Sequence, residues 1–176
     1  MFSSVELPEG VTGHLYLHSM PGRYEAFQEL KERIAQRKIE RVIRLASLEE
    51  VRVKSPDYAL AIEASQLPWI EEAFPVPDYE APGNLEAFWD LAKRIANRLR
   101  SGERALIHCG AGISRTGTLA ICVLIALRMR PEKAEAVVEK AGSGPEVESQ
   151  KEVIEWVAQK IRVNEMGDVV EFVELV

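Results

Sequence analysis

One segment constrains the fold of this chain more than any other, because it joins a short apolar run to a long apolar helical pattern through a glycine-rich turn. It spans residues 108–117, and its sequence is His-Cys-Gly-Ala-Gly-Ile-Ser-Arg-Thr-Gly. The apolar run that leads into His108 predicts a buried strand over residues 105–108, and the pattern after it predicts a helix over residues 115–128. A strand, a loop with the dimensions of a phosphate group and a helix N-terminus therefore follow one another, with a cysteine at the first loop position.

The loop between strand and helix, residues 109–114 and here called the cysteine loop, is suited to bind a phosphate monoester. Its two glycines allow the backbone to curl with the amides pointing inward. The N–H groups that can converge in this way are those of Gly110, Ala111, Gly112, Ile113, Ser114 and Arg115. The N-terminus of the following helix adds a positive dipole end, and the planar guanidinium of Arg115 matches two phosphate oxygens.

The same positive field favours the thiolate of Cys109, which is the nucleophilic form of a cysteine. We therefore predict covalent phosphoryl transfer through Cys109. Thr116 places a hydroxyl where it can hydrogen-bond the sulfur, and His108 is expected to order the loop rather than to transfer protons. A buried structural thiol is the alternative for Cys109, but the glycines and Arg115 argue against it.

A leaving oxygen must be protonated as its bond to phosphorus breaks, and a carboxylic acid on a mobile loop suits this step. The candidate is Asp78, which lies between two prolines in an irregular segment; an ordinary turn aspartate is the alternative. Its rivals as acid are Glu71, Glu72 and Glu80. In a second step a water attacks the phosphocysteine, and the amide of Gln150 is a candidate to position it, unless Gln150 only lies on a solvated helix end.

These residues resemble the signature of the cysteine-dependent protein tyrosine phosphatase superfamily, which is His-Cys, five residues, Arg, then Ser or Thr. His108, Cys109, Arg115 and Thr116 match it, and Asp78 lies 31 residues before the cysteine, about where compact dual-specificity members carry their acid. The resemblance covers roughly residues 11–162. It implies a phosphocysteine intermediate, closure of the acid-bearing loop, no metal or other cofactor, and Gln150 as the glutamine that positions water.

This chain lacks sequence features that are typical of other branches of the superfamily, and their absence narrows the expected substrate class. The longer tyrosine-specific domains carry a Lys-Asn-Arg-Tyr motif that this chain lacks, and lipid and inositol phosphatases usually have lysines inside the loop. We therefore expect a phosphoprotein phosphatase that acts on phosphotyrosine, with phosphoserine and phosphothreonine as further substrates. The alternatives are a phosphatase of a non-protein ester (an RNA 5′-end, a phosphoinositide or a metabolite), a catalytically dead phosphate-binding module, and a thiol redox enzyme of arsenate-reductase type.

Composition limits the remaining classes. The net charge is −6, the opposite of what nonspecific nucleic-acid binding needs. Two cysteines make no disulfide framework, which favours a reducing, cytoplasmic location; Cys122 is expected in the core, although a regulatory disulfide with Cys109 is an alternative. No signal peptide is recognised in the first ten residues, the apolar run 119–127 is too short to span a bilayer, and the three histidines are not at zinc spacing with the cysteines.

Alternating strands and helices predict an α/β fold with a short central, mainly parallel sheet flanked by helices. We expect one phosphatase domain over residues 1–176, with a core over about 11–162 and a tail at 163–176. The predicted strands are 11–17, 41–46, 68–74 and 105–108. The predicted helices are 24–36, a short helix that Ser47 and Glu50 open as a capping box, 56–65, 85–99, 115–128, 131–140 and 148–162. Within the tail, residues 167–176 fit a strand and a helix equally well.

Overall fold

The structure, a computed structural model, describes residues 2–173, with side chains described for residues 2–162. The strands in this part of the chain are β1 (Ser3–Val5), β2 (His14–His18), β3 (Arg41–Arg44), β4 (Ile70–Ala73) and β5 (Arg104–His108). The helices are α1 (Phe27–Gln36), α2 (Leu48–Lys54), α3 (Pro56–Glu63), α4 (Leu85–Arg100), α5 (Ser114–Ala126), α6 (Pro131–Lys140) and α7 (Glu148–Val173).

The strands form one sheet in the order β1-β2-β5-β3-β4, in which only the β1–β2 pair is antiparallel. The predicted α/β fold with a mainly parallel sheet is therefore confirmed. β5 lies in the middle because its side chains are buried on both faces, as a central parallel strand requires. Its carboxyl end, where Cys109 follows, consequently opens at the centre of the sheet edge where open α/β folds bind ligands.

β1 is the strand that the sequence pattern does not predict. Its three residues are too few to show an alternating pattern, and they lie before residue 11, where we expect the core to begin. Ser3 pairs with Leu17 and Val5 with Leu15, so β1 covers the free edge of β2 and buries Val5. Pairing with a neighbour, rather than local propensity, makes this segment a strand.

Helices cover both faces of the sheet. One buried apolar cluster joins the sheet to α4–α7, and a second joins the opposite face to α1–α3. The central helix is α5, all of whose residues are buried because it packs against α4, α6 and α7. This burial explains why its sequence is apolar all round rather than on one stripe. No helix in the described part of the chain has both the length and the apolar character that crossing a membrane requires.

The helix ends match the sequence except at a few places. The Oγ of Ser47 accepts a hydrogen bond from the N–H of Glu50 at 3.1 Å and caps α2 as predicted. The side chain of Glu50 does not complete the capping box, because it turns to the cysteine loop. α7 begins at Glu148 as predicted but continues to Val173, so most of the ambiguous tail is helical; residues 174–176 lie outside the described residues.

Candidate active site

The cysteine loop connects the end of β5 to the start of α5. Its carbonyl groups are bonded to partners outside the loop: those of Cys109, Gly110, Gly112 and Ile113 accept from His108 Nδ1 (3.0 Å), Met20 N (3.1 Å), Ser143 Oγ (2.7 Å) and Gly144 N (3.3 Å), respectively. None of the backbone N–H groups from Gly110 to Arg115 has a hydrogen-bond acceptor within the part of the chain that the structure describes. Six donors are thus left for an anion, and their role in phosphate binding stays a prediction.

Gly112 is the loop position that requires glycine. Its φ is +80°, in the left-handed region, and a Cβ placed there would lie 2.4 Å from the carbonyl oxygen of His18. No other residue fits that approach without moving β2. The close contact holds the loop against the end of β2 and fixes its curl.

Arg115 reaches across the mouth of the loop and is almost completely buried. Its Nη1 donates to Glu50 Oε2 at 2.8 Å and to the carbonyl of Val76 at 2.9 Å. Its Nη2 lies 3.0 Å from Glu50 Oε1 and 2.9 Å from Asp78 Oδ1. The Nε–H is buried without a partner. Of the five N–H groups of a guanidinium, three are hydrogen-bonded to Glu50 and Val76, and Nη2 also forms an ion pair with Asp78. The Nε–H is left on the edge that faces Asp78, where a bidentate anion can bind.

Asp78 lies in the acid loop, residues 74–84 between β4 and α4, and it is the carboxylate among the four candidates that contacts Arg115. A turn from Pro77 to Glu80, with Tyr79 at φ +57°, presents it. Val76 and Glu80 on either side are anchored, the first to Arg115 and the second through its carbonyl to Gln150 Nε2 at 3.2 Å. The ordinary turn aspartate is therefore the weaker interpretation, while the role as acid stays a prediction.

The rival carboxylates have other partners or point elsewhere. Glu71 accepts from Arg44, Tyr58 and Trp69. Glu72 forms ion pairs with Arg94, Arg98 and Arg41, and although burial raises its pKa, the arginines lower the net pKa. The side chain of Glu80 is exposed, and its backbone carbonyl, not its carboxylate, joins the site.

Gln150 is buried, so its interpretation as a solvated residue at a helix end is wrong. Its Oε1 accepts from Ser114 Oγ at 2.7 Å and from the N–H of Glu146 at 3.1 Å, while its Nε2 donates to the Glu80 carbonyl. The side chain thus braces the start of α5 against the acid loop, and one Nε2–H remains for a water. Its role in positioning water stays a prediction.

Thr116 differs from expectation. Its Oγ1 is buried but forms no hydrogen bond to Cys109 or to any other described group, so the predicted contact with the sulfur is not made. The physical reason is its place on α5, where the hydroxyl is enclosed by the helix packing at zero exposure.

Cys109 and Cys122 are both free thiols. Cys122 lies in the core as predicted, and burial raises its pKa to about 12.

His108 lies at the end of a buried polar chain. Its Nδ1–H donates to the Cys109 carbonyl, and its Nε2 lies 3.1 Å from the hydroxyl of Tyr58, which also contacts Glu71. Complete burial lowers the pKa of His108 to about 3, against an ordinary value of 6.5. A neutral ring that holds a loop carbonyl outward is what the predicted ordering role requires.

This depressed pKa predicts a loss of stability in acid. An unfolded His108 binds a proton near pH 6.5 and the folded one only near 3, so the free energy of unfolding falls as pH drops between these values, by at most about 1.4 kcal/mol per pH unit from this group. Urea unfolding of the wild type and His108→Gln at pH 7.5 and 5.0 measures it. The wild type should lose more stability than the variant; equal losses would contradict the buried neutral ring.

Sequence reasoning missed Glu50 and Lys54. Lys54 Nζ lies 2.6 Å from Glu50 Oε1 and 3.7 Å from Asp78 Oδ2, so the two residues of α2 bridge Arg115 and the acid loop. Burial raises the pKa of Glu50, but the hydrogen bonds from Arg115 and Lys54 outweigh it and bring the pKa to about 2. The sequence signal at Glu50, its spacing from Ser47, indicates a helix cap, and nothing local points to an arginine 65 residues away.

Glu50→Gln should lower kcat/KM on an aryl phosphate about tenfold, because a neutral amide holds the guanidinium of Arg115 less firmly in its binding orientation. Steady-state kinetics measures the effect. Glu49→Gln removes the same charge from an exposed neighbour and is the matched control. Equal kinetics for the two variants would mean that Glu50 does not orient Arg115.

Within residues 2–162, no cluster of three or more His, Cys, Asp or Glu side chains is arranged to hold a metal ion. The family model described as "Polymorphic toxin system, DSP-PTPase phosphatase" matches residues 18–128. The curated protein Cyclin-dependent kinase inhibitor 3 of Rattus norvegicus is 30% identical over 73 residues, which are 40% of this chain and 34% of that protein. The match therefore spans about a third of that relative's length.

Several solved structures share the fold. Kinase associated phosphatase (KAP), with its catalytic cysteine replaced by serine, has a TM-score of 0.77 at 18% identity and covers 92% of this chain and 96% of its own. Tk-PTP in its active form has a TM-score of 0.66 at 25% identity, covering 89% and 97%. PTPMT1 in complex with PI(5)P has a TM-score of 0.69 at 19% identity, covering 86% and 94%.

Proposed function

Because the chain belongs to the DSP-PTPase phosphatase family, a compact, dual-specificity-like branch of the protein tyrosine phosphatase superfamily, we propose that it hydrolyses phosphotyrosine in proteins through a phosphocysteine intermediate. Phosphoserine and phosphothreonine are further substrates. One observation carries the proposal: the free N–H groups of residues 110–115 and the unpartnered Nε–H of Arg115 surround the position after β5 that holds Cys109.

In the first step the substrate phosphate occupies the loop and binds the Nε and Nη2 edge of Arg115. It thereby displaces Asp78 from Nη2, and the freed carboxylate takes up a proton from solvent. The sulfur of Cys109 attacks phosphorus, and the bond to the leaving oxygen breaks. Asp78 gives its proton to that oxygen, so the alcohol or phenol departs neutral.

In the second step a water takes the place of the leaving group. Asp78, now a carboxylate, accepts a proton from the water as the water oxygen attacks phosphorus. The S–P bond breaks and inorganic phosphate and the Cys109 thiolate are released. The remaining Nε2–H of Gln150 is the group that would orient this water, since the other donates to the acid loop.

A phosphatase of a non-protein ester is the second candidate. The observation in its favour is the likeness in fold to PTPMT1 solved with PI(5)P. Against it stands the interior of the cysteine loop, Gly-Ala-Gly-Ile-Ser, which contains no cationic side chain of its own. We therefore propose phosphoproteins, rather than non-protein phosphate esters, as the substrate class.

One set of assays tests the proposal. The purified protein is incubated with an aryl phosphate in the presence of a chelator, and a rapid acid quench followed by peptide mass analysis searches for a phosphate on Cys109. Turnover with a trapped phosphocysteine is expected. A panel of phosphotyrosine, phosphothreonine and phosphoinositide substrates and 5′-phosphorylated RNA then ranks the substrate classes. Faster hydrolysis of a non-protein ester than of every phosphopeptide would replace the first candidate by the second.

A further inference from the structure

Two cations from outside the cysteine loop stand at its first glycine. A Cβ placed on Gly110 would lie 3.0 Å from Arg23 Nη1 and 3.1 Å from Lys54 Nζ, and 2.7 Å from Glu50 Oε1, the carboxylate that pairs with Lys54. The space that a side chain would take at this loop position is thus occupied by Arg23 and by the Glu50–Lys54 ion pair. The positive charge that the loop sequence lacks is supplied by a preceding turn and by α2.

The turn that carries Arg23 is fixed to the site. Its first residue, Met20, donates its N–H to the Gly110 carbonyl, and the N–H of Arg23 closes the turn on the Met20 carbonyl, both at 3.1 Å. Gly22, at φ +78°, packs so closely on Ser55 that a Cβ would lie 2.5 Å from its Oγ. The guanidinium of Arg23 lies over the ring of Tyr24, 4.7 Å from its centroid. Backbone and side chain are therefore both held at the mouth of the loop.

The charges at this mouth are balanced except at Arg23. Arg115 is paired with Glu50 and Asp78, and Lys54 is paired with Glu50. Arg23 has no carboxylate within 4 Å among the residues described, and its partner is the face of Tyr24. A half-buried cation without a counter-ion beside an anion site is a position where an acidic group of a ligand gains a charge-assisted hydrogen bond.

We propose that Arg23 binds an acidic side chain that flanks the phosphorylated residue of a peptide substrate. This inference rests on the proposed phosphatase function and makes it more specific. Arg23 is a single cation without a carboxylate partner among the residues described, so one carboxylate of a ligand balances its charge. A second phosphate dianion next to the first would need two free cations, and Lys54 is already committed to Glu50.

The proposal is tested with pairs of phosphotyrosine peptides. The two peptides of a pair differ only at one flanking position, which is Asp in one and Asn in the other, and kcat/KM is measured for each. We expect the wild type to hydrolyse the Asp peptide with about a tenfold higher kcat/KM at one of the flanking positions. In Arg23→Gln this ratio should fall to about one. With peptides that carry either Asp or Lys at that flanking position, the wild type should hydrolyse the Asp peptide faster, and Arg23→Glu should hydrolyse the Lys peptide faster.

Arg52→Gln is the matched control, because it removes the same charge from α2, where Arg52 is exposed and paired with Glu63. Its Asp-to-Asn ratio should stay at the wild-type value, which separates a local contact from the general field of the protein. A ratio near one in the wild type at every flanking position, or a ratio retained in Arg23→Gln, would overturn the proposal. So would an inositol bisphosphate that is hydrolysed faster than every peptide and loses that advantage in Arg23→Gln.

Different results would contradict the proposed phosphatase function and the proposed role of Arg23. If the wild type does not turn over an aryl phosphate, which carries no flanking acid, the proposed function fails. If it turns over the aryl phosphate and both peptides equally, only the role of Arg23 fails.

Discussion

Cys109→Ser should reduce turnover of an aryl phosphate by about 10⁴-fold or more, the scale seen when a catalytic nucleophile is removed. Serine fits the same space, but a hydroxyl is a much weaker nucleophile than a thiolate. The N–H groups of the loop and Arg115 are unchanged, so phosphate binding should persist. Steady-state kinetics gives the loss of turnover, and calorimetric titration with a phosphopeptide measures the retained binding.

Cys122→Ser is the matched control. It replaces the other thiol of the chain, which is completely buried on α5 away from the loop mouth. It should cost stability, because a hydroxyl is placed in an apolar core, but the folded fraction should keep its turnover. Turnover that survives in Cys109→Ser would exclude the phosphocysteine mechanism, and loss in both variants would point to unfolding rather than chemistry.

Asp78→Asn should lower kcat by about 10²- to 10⁴-fold, the contribution that general acid catalysis makes. Asparagine has the same shape and an amide oxygen that can accept a hydrogen bond from Nη2 of Arg115, but it has no proton to give. The loss should therefore shrink as the leaving phenol becomes more acidic, because a better leaving group needs less protonation. A series of aryl phosphates with leaving groups of different pKa measures this slope in the wild type and the variant.

Glu80→Gln tests the neighbouring carboxylate and should leave both kcat and the leaving-group slope near their wild-type values, since the Glu80 side chain is exposed. If Asp78→Asn kept the wild-type slope, the acid would be another group. A selective loss in Glu80→Gln would identify that group and would require the acid loop to rearrange from the turn described here.

The sequence predicts those parts of the molecule whose pattern is local. β5 and α5 follow from an apolar run, a glycine turn and a long apolar helix, and they place Cys109 and Arg115 without further information. β1 is not predictable in this way, because three residues carry no period and Ser3–Val5 becomes a strand only on pairing with β2.

The candidate site likewise contains some residues that a local sequence pattern identifies and others that only the tertiary packing identifies. Asp78 is recognisable because irregular, proline-flanked carboxylates are few in a chain, although its contact with Arg115 is not foreseeable. Glu50 and Lys54 are charged residues on a short helix, a pattern that normally indicates a solvated face. Only the packing of α2 beside the cysteine loop distinguishes them from such a face, and that packing depends on residues far apart in the chain.

The outward-bonded carbonyls of the cysteine loop have a consequence for how the site assembles. Met20 lies 90 residues before Gly110, whose carbonyl it bonds, and Ser143 and Gly144 lie 31 residues after Gly112 and Ile113, beyond α6 in the chain. Such distant pairings form late, because a long stretch of chain must first be ordered between them. Until that closure, the carbonyls of Gly112 and Ile113 are free to turn inward, where they would repel a phosphate. The cysteine and arginine can thus be side by side in a nearly folded chain that still does not bind its substrate.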